Sequence, residues 1–437
     1  MKKITKRPLR HACQASGALV IRTMATGALI MGAALPNVAQ AQDIGENTGR
    51  SSGGPTGYEP VPFYVGQFQV FPQIDGQIEY NDNIRGSEIA AVDDFIVSIT
   101  PAIFAEDRRA DREIFLSGRL GFDTYLQGSR NDQLRGELKG RYRGGLGSLT
   151  KPFGSFEISA NNSQSRTEDD DLRDLAQPIT VTTLRANGGL EQIFGPLIGT
   201  VEADFSSADY SGTILVGGDE VEMNFRDNVR YVGRVQLAYQ RSQNQRIFVE
   251  AIFNKFDFEG AAPELDLPAN LGLDRSSSGV RLQAGFRREV TRLVSVIAKV
   301  GYLQQSFEDP RLSSISGLSF EGNAELNPTP LTRIELSALR AIDQSANPLL
   351  TGRLRTQFST RLQHELRRDI VLSASARYAR ITRQSLDQDV AEWEVAGTAR
   401  YRLTPQWSLA LRGEHFERDQ AFAFAQNRVM TSVRYNF

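Results

Sequence analysis

From about Gln67 to Phe437 the chain alternates between apolar and polar residues, segment after segment. Leu134, Gly136, Leu138, Gly140 and Tyr142 interleave with Arg135, Glu137, Lys139, Arg141 and Arg143. Val229, Tyr231, Gly233, Val235, Leu237 and Tyr239 interleave with Arg230, Arg234, Gln236 and Gln240, and Val280, Leu282, Ala284 and Phe286 with Arg281, Gln283 and Arg287. Trp393, Val395, Gly397, Ala399, Tyr401 and Leu403 interleave with Glu392, Glu394, Thr398, Arg400 and Arg402. A period of two places the sets on opposite faces of a strand. Eighteen such segments can be marked, from one near 67–80 to one near 425–437, and none has a helical period.

The connections alternate in length. Gly195-Pro196, Ser242-Gln243-Asn244, Pro328-Thr329-Pro330, Arg367-Arg368-Asp369 and Thr404-Pro405-Gln406 are short, whereas 81–93, 165–178, 209–222, 259–275 and 307–315 are long and polar. Short turns on one side and long loops on the other are the layout of outer-membrane barrels. The pattern predicts an all-β, transmembrane antiparallel barrel of about 18 strands, with short periplasmic turns and longer extracellular loops. A β-helix or propeller would show a repeated motif, and a sandwich would not set a charged face against an apolar one in nearly every strand.

The mean hydropathy of −0.34 fits a barrel, whose polar inner face dilutes its apolar outer one. At the N-terminus, Lys2, Lys3, Lys6, Arg7 and Arg10 precede a small apolar run, Thr23 to Leu35, and Ala39-Gln40-Ala41 has the form of a cleavage site. Residues 1–41 are expected to be a signal peptide cleaved after Ala41, 42–65 a flexible periplasmic segment rich in Gly, Ser and Pro, and 66–437 the barrel. The one cysteine, Cys13, falls in the leader, so no thiol or disulfide chemistry is expected of the rest. Six of the 50 basic residues and none of the 52 acids also fall there, leaving the remainder at −8. That balance argues against a nucleic-acid binder.

Candidate chemistry lies on the charged strand faces. Arg135, Lys139, Arg141, Arg143, Arg230, Arg234, Arg281, Arg353, Arg355, Arg400, Arg402, Arg428 and Arg434 are the expected pore-lining residues. Bases outnumber acids on these faces, which places the acid excess in loops such as Glu168-Asp169-Asp170-Asp171. A wall of guanidinium forks favours anions; alternatively, neighbouring Arg and Glu only pair with one another. His364 and His415 sit in no motif with a serine or a second ligand, and there is no Walker, dinucleotide or metal motif. The sequence therefore points neither to an enzyme nor to a cofactor.

Two short motifs carry a family resemblance. Phe71-Pro72-Gln73-Ile74-Asp75-Gly76-Gln77-Ile78-Glu79-Tyr80-Asn81-Asp82-Asn83-Ile84 resembles the opening of outer-membrane proteins described as putative beta-barrel porin, type two: a proline-containing strand ending in Tyr-x-Asp-Asn before an aliphatic residue. Ile99-Thr100-Pro101-Ala102-Ile103 is similar to a proline-centred pattern of the same group. The final strand, Asn427 to Phe437, resembles the signal read by the barrel-assembly machinery, with Tyr435 and Phe437 as the aromatics that carry it. The resemblance implies an outer-membrane location among lipid and lipopolysaccharide. It also implies an exit for a capsular polysaccharide or exopolysaccharide, with a periplasmic polysaccharide-export protein as partner. The alternatives are a general or anion-preferring diffusion porin for small solutes and a structural barrel that conducts nothing.

Overall fold

The structure is a computed structural model. It describes Tyr58 and the residues from Pro60 onward, except 89–90, 129–131, 163–178, 215–219, 243, 260–273, 292, 344–351, 384–387 and 420–422. The expected leader and cleavage site and the acidic run Glu168 to Asp171 lie outside the described residues.

Eighteen long strands close into one antiparallel barrel. In chain order they are β1 (Phe68–Asn81), β2 (Asp94–Arg108), β3 (Arg112–Tyr125), β4 (Gln133–Gly144), β5 (Thr150–Asn162) and β6 (Thr180–Phe194). β7 (Leu197–Tyr210), β8 (Asn228–Ser242), β9 (Gln245–Phe258), β10 (Ser277–Thr291), β11 (Val294–Phe307) and β12 (Ile315–Thr329) follow. The last six are β13 (Thr332–Asp343), β14 (Arg353–Arg367), β15 (Ile370–Arg383), β16 (Gln388–Arg402), β17 (Trp407–Arg418) and β18 (Phe424–Asn436). Each pairs with its neighbours in sequence, and β18 pairs with β1 from Gln73↔Asn436 to Asn81↔Arg428. Closure leaves no long unpaired edge, as a lipid environment demands.

The alternation sorts as the sequence predicts. Ile78, Leu120, Val235, Leu282, Val300, Val395 and Leu411 are exposed on the outside, whereas Glu79, Glu202, Arg234, Glu250, Lys299 and Glu414 are buried on the inside. Outward rings gather near the short turns, where Trp407 lies 4.7 Å from Tyr435, and Tyr435 lies 4.9 Å from Phe437 in an edge-on arrangement. That is the position of an interfacial girdle.

The turns show why register holds. Gly195, with φ +61°, opens the two-residue Gly195-Pro196 connection of β6 and β7. A positive φ at the first turn position matches the twist of the flanking strands, and glycine adopts it without strain.

Two segments depart from the expected layout. The eighth strand, expected from 223, begins at Asn228, because Asn224–Arg226 form a 3-10 turn. Met223 and Phe225 instead pack on Ile179 and on the inward-facing Val181 and Ala208. Burial of those two side chains outweighs continuation of the strand, so this loop folds into the mouth of the barrel. In the lead-in, Phe63–Val65 pair with Phe68–Val70. They lie on the side of β1 that β18 occupies further along, beyond Phe437, whose N–H donates to Pro72 O. The end of that seam is thus covered by the chain itself.

The wall also bends sharply at β11. Gln283 Nε2 on β10 donates to Ser319 Oγ on β12 at 2.9 Å, spanning the inner face of the strand between them. Gly301 sits at that point, paired with Gln283 and Ser319. A Cβ there would lie 1.8 Å from Leu282 O, so glycine is what allows the corner.

Candidate pore and its charged wall

The inner face is layered. Near the short turns it carries apolar clusters: Phe71, Ala102 and Phe104 on one side, and Ile198, Ala238 and Phe248 on another. Arg119 stacks over Phe104 at 5.2 Å and Arg141 over Phe115 at 6.0 Å. At the opposite mouth Arg230 lies 5.2 Å above Phe256, Arg275 4.3 Å above Phe258, and Arg418 5.2 Å above Phe424. The rings hold these guanidiniums against the wall; Arg275 also donates to Phe225 O, and Arg418 is engaged by Glu392.

Between the clusters runs a charged belt, and much of it is neutralised internally. Arg234 Nη1 reaches Glu202 at 2.6 Å, and Arg234 Nε lies 3.9 Å from Glu250. Lys299 Nζ bridges Glu250 and Glu321, 3.3 Å from each. One chain of alternating charges therefore spans β7 to β12. Gln236 Nε2 donates to Glu250 and Asn187 Nδ2 to Glu202, which adds to the engagement of those two carboxylates. A second chain joins Asp343, Arg355, Glu392 and Arg418, with Arg355 Nε 2.5 Å from Asp343 and Arg418 Nη2 2.9 Å from Glu392. A third joins Arg428 to Glu79 and Glu414.

The residues expected to line the pore all occupy the inner register, but they divide in state. Arg135 pairs with Asp123 at 2.6 Å, Lys139 with Glu137 at 2.8 Å, Arg143 with Glu113 at 3.6 Å, and Arg434 with Asp75 at 2.6 Å. Arg234, Arg355 and Arg428 belong to the chains above. Arg353 lies opposite Asp343, and Arg400 and Arg402 lie opposite Ala410 and Ser408. Arg141, Arg230, Arg281 and Arg402 make no ion pair within 4.0 Å among the described residues, nor do Arg119 and Arg185, which share their face.

The inner face is also less basic than the sequence suggests. Asp75, Glu79, Glu106, Glu202, Asp204 and Asp343 all point inward and add carboxylates to the wall. The signal was present, since Gln73, Asp75, Gln77 and Glu79 alternate with Ile74, Gly76, Ile78 and Tyr80. The inward aromatics gave no signal, because alternation alone assigns Phe104 and Phe256 to neither face.

His364 and His415 engage neither a serine nor a metal-like cluster among the described residues: His364 Nδ1 meets Thr332 Oγ1 at 2.9 Å, and His415 Nδ1 meets Asn427 Oδ1 at 2.8 Å. Among the described residues no group of His, Cys, Asp and Glu has the geometry of a metal site. A cavity of about 510 Å³ between β11 and β16 is lined mainly by outward-facing Ala298, Ala324, Leu336, Phe358, Tyr378 and Trp393. It belongs to the lipid-contact surface rather than to the pore.

The family model described as putative beta-barrel porin 2 matches residues 55–437. No curated protein sequence matches the chain. Among solved structures, OccAB3 of Acinetobacter baumannii is similar at 9% identity, covering 85% of this chain and 100% of its own, with a TM-score of 0.43. The outer-membrane protein opdK of Pseudomonas aeruginosa is similar at 10% identity, covering 84% and 99%, with a TM-score of 0.43.

Proposed function

Because the chain belongs to the putative beta-barrel porin 2 family, we propose that it is a passive outer-membrane channel for small solutes with a preference for anions. The observation that carries this reading is the imbalance left after internal pairing. Most inward carboxylates are engaged by a base, whereas Arg402, Arg141, Arg119, Arg281, Arg185 and Arg230 make no ion pair among the described residues and range from the turn end to the loop end of the wall. Fixed cationic forks in a confined aqueous path lower the barrier for an anion and raise it for a cation.

The other function implied by the opening motifs, exit of a polysaccharide through a periplasmic partner, draws no support from the barrel or from the family match. Reversal potentials in a potassium chloride gradient across a planar bilayer test the preference. Chloride should be the more permeant ion, and the triple variant R119Q/R141Q/R281Q should lower the chloride-to-potassium permeability ratio at least about twofold. A cation-selective wild-type pore would refute the proposal. In cells, deletion should slow uptake of small anions while surface polysaccharide stays normal; loss of the polysaccharide instead would favour the export reading.

A further inference from the structure

Four buried polar atoms that have no hydrogen-bond partner among the described residues meet on one patch of the inner wall, just beneath the infolded loop. They are Arg185 Nη2, Asp204 Oδ2, Arg230 Nε and Asn254 Oδ1. They come from four successive strands, β6 to β9, and the register gathers them: Ser206 pairs with both Arg185 and Arg230, while Val232 pairs with both Asp204 and Asn254. Buried polar atoms are seldom left unsatisfied, and a cluster of them marks a place where something else completes the hydrogen bonding. The charges agree. Arg230 faces Arg185, Arg234 and Arg281, with Asp204 as the facing carboxylate. Arg234 is already held by Glu202 at 2.6 Å. Guanidiniums brought together in a partly desolvated wall repel one another unless an anion sits among them.

The set contains both donors and acceptors, and this narrows the chemistry. Two arginine forks suit a carboxylate. Asp204 Oδ2 and Asn254 Oδ1 accept, and chloride, sulfate or an unsubstituted carboxylate has nothing to donate to them. We propose that this patch is a binding site for hydroxylated carboxylates of the sugar-acid class, with Arg185 and Arg230 on the carboxylate, Asp204 and Asn254 on hydroxyl groups, and Arg281 adding charge at the rim. The Phe256 ring beneath Arg230 holds that guanidinium in place. The inference deepens the anion-preferring pore and rests on it for access to the lumen.

Three matched probes separate the contributions: D-galacturonate, D-galactose, which lacks the carboxylate, and acetate, which lacks the hydroxyls. Binding to the purified, refolded barrel is measured by titration calorimetry, and block of potassium chloride current is measured in planar bilayers. Galacturonate should bind and block at least about tenfold more strongly than either other probe. Arg230→Gln should weaken galacturonate at least about tenfold. Asp204→Asn should cut the preference for galacturonate over acetate at least about fivefold while the reversal potential in potassium chloride stays anion-selective. Equal binding of galacturonate and acetate would reduce the patch to a generic anion site and overturn the proposal, as would no galacturonate binding in calorimetry. In either case an anion-selective reversal potential would leave the pore reading standing. A barrel that binds galacturonate without conducting would refute the pore alone.

Discussion

Arg434 Nε lies 2.6 Å from Asp75 Oδ1 across the seam where the last strand meets the first. The two residues are 359 positions apart, and they face each other directly in register. The pair therefore marks correct closure of the barrel: a slip of one residue would turn Arg434 toward lipid, where its charge is costly. Both side chains are about one-quarter exposed to the lumen, so water screens the pair and its contribution is modest, about 0.5–1 kcal/mol. Arg434→Gln and Asp75→Asn should each lower stability by about that amount in urea unfolding of the barrel in lipid vesicles. The charge-swapped double variant should recover most of the loss. Additive losses in the double variant would show that the contact is incidental.

Lys299 should behave differently. It is almost fully buried, and its ammonium is shared by Glu250 and Glu321. Removing the charge leaves two buried carboxylates facing each other, and breaking a buried pair on one side costs about 3–5 kcal/mol. Lys299→Met should therefore destabilise the barrel several times more than Arg434→Gln in the same unfolding assay. Glu321→Gln in the Lys299→Met background should restore part of the loss, because one of the opposed charges is then gone. Equal effects of Lys299→Met and Arg434→Gln would contradict the assignment of a buried chain.

The strand frame was readable because two-residue alternation is a local property, visible wherever a strand separates lipid from a polar interior. Val429, Val433 and Tyr435 on one face and Arg428 and Arg434 on the other needed no partner to be assigned. The short turns were readable for the same reason, since Gly195-Pro196 signals a tight connection within two residues. What alternation cannot convey is which charges cancel. Glu202, Arg234, Glu250, Lys299 and Glu321 lie on five strands, and only the register makes them one chain. The orphaned atoms of Arg185, Asp204, Arg230 and Asn254 are likewise a product of pairing between distant segments. Met223 and Phe225 escaped because they follow no period: their burial depends on Val181 and Ala208, which a strand-by-strand scan treats as separate.

Gly301 gives a steric test of the corner in the wall. A Cβ at that position would collide with the backbone of β10, at 1.8 Å from Leu282 O and 2.7 Å from Gln283 Cα. Backbone cannot move aside as a flexible side chain does, so Gly301→Val should lower the folded fraction strongly, and Gly301→Ala less so. Gly317, on β12, provides a control, because nothing lies within 4 Å of a Cβ built there. Gly317→Ala should leave the folded fraction unchanged, measured by the mobility difference between boiled and unboiled samples. Equal tolerance at both sites would mean that the corner does not depend on Gly301.

Asp227, where the infolded loop rejoins the barrel, should make the mouth responsive to pH. Burial is the main cause that pushes its carboxyl up to about 6, with the nearby Asp209 and Glu259 carboxylates adding to it. The Tyr210 N–H, which donates to Asp227 Oδ1 at 2.7 Å, pulls the other way and is outweighed. Arg226, stacked over Tyr210 at 5.5 Å, is the neighbouring cation. A carboxyl with a raised pKa favours the docked arrangement in its neutral form. That stabilisation is complete below the ordinary carboxylate value of 3.8 and is lost as pH rises through about 6. The loop carrying Met223 and Phe225 should therefore be held more firmly at pH 5 than at pH 7. Amide hydrogen exchange of Tyr210 and of residues 223–226 in the intact barrel, corrected for intrinsic rates, should show greater protection at pH 5. Asp227→Asn, which is neutral throughout and keeps an acceptor for the Tyr210 amide, should remove the pH difference and hold protection at pH 7 near the wild-type value at pH 5. Protection that does not change between pH 5 and 7 in the wild type, or a pH difference that survives the substitution, would rule out Asp227 as the group responsible.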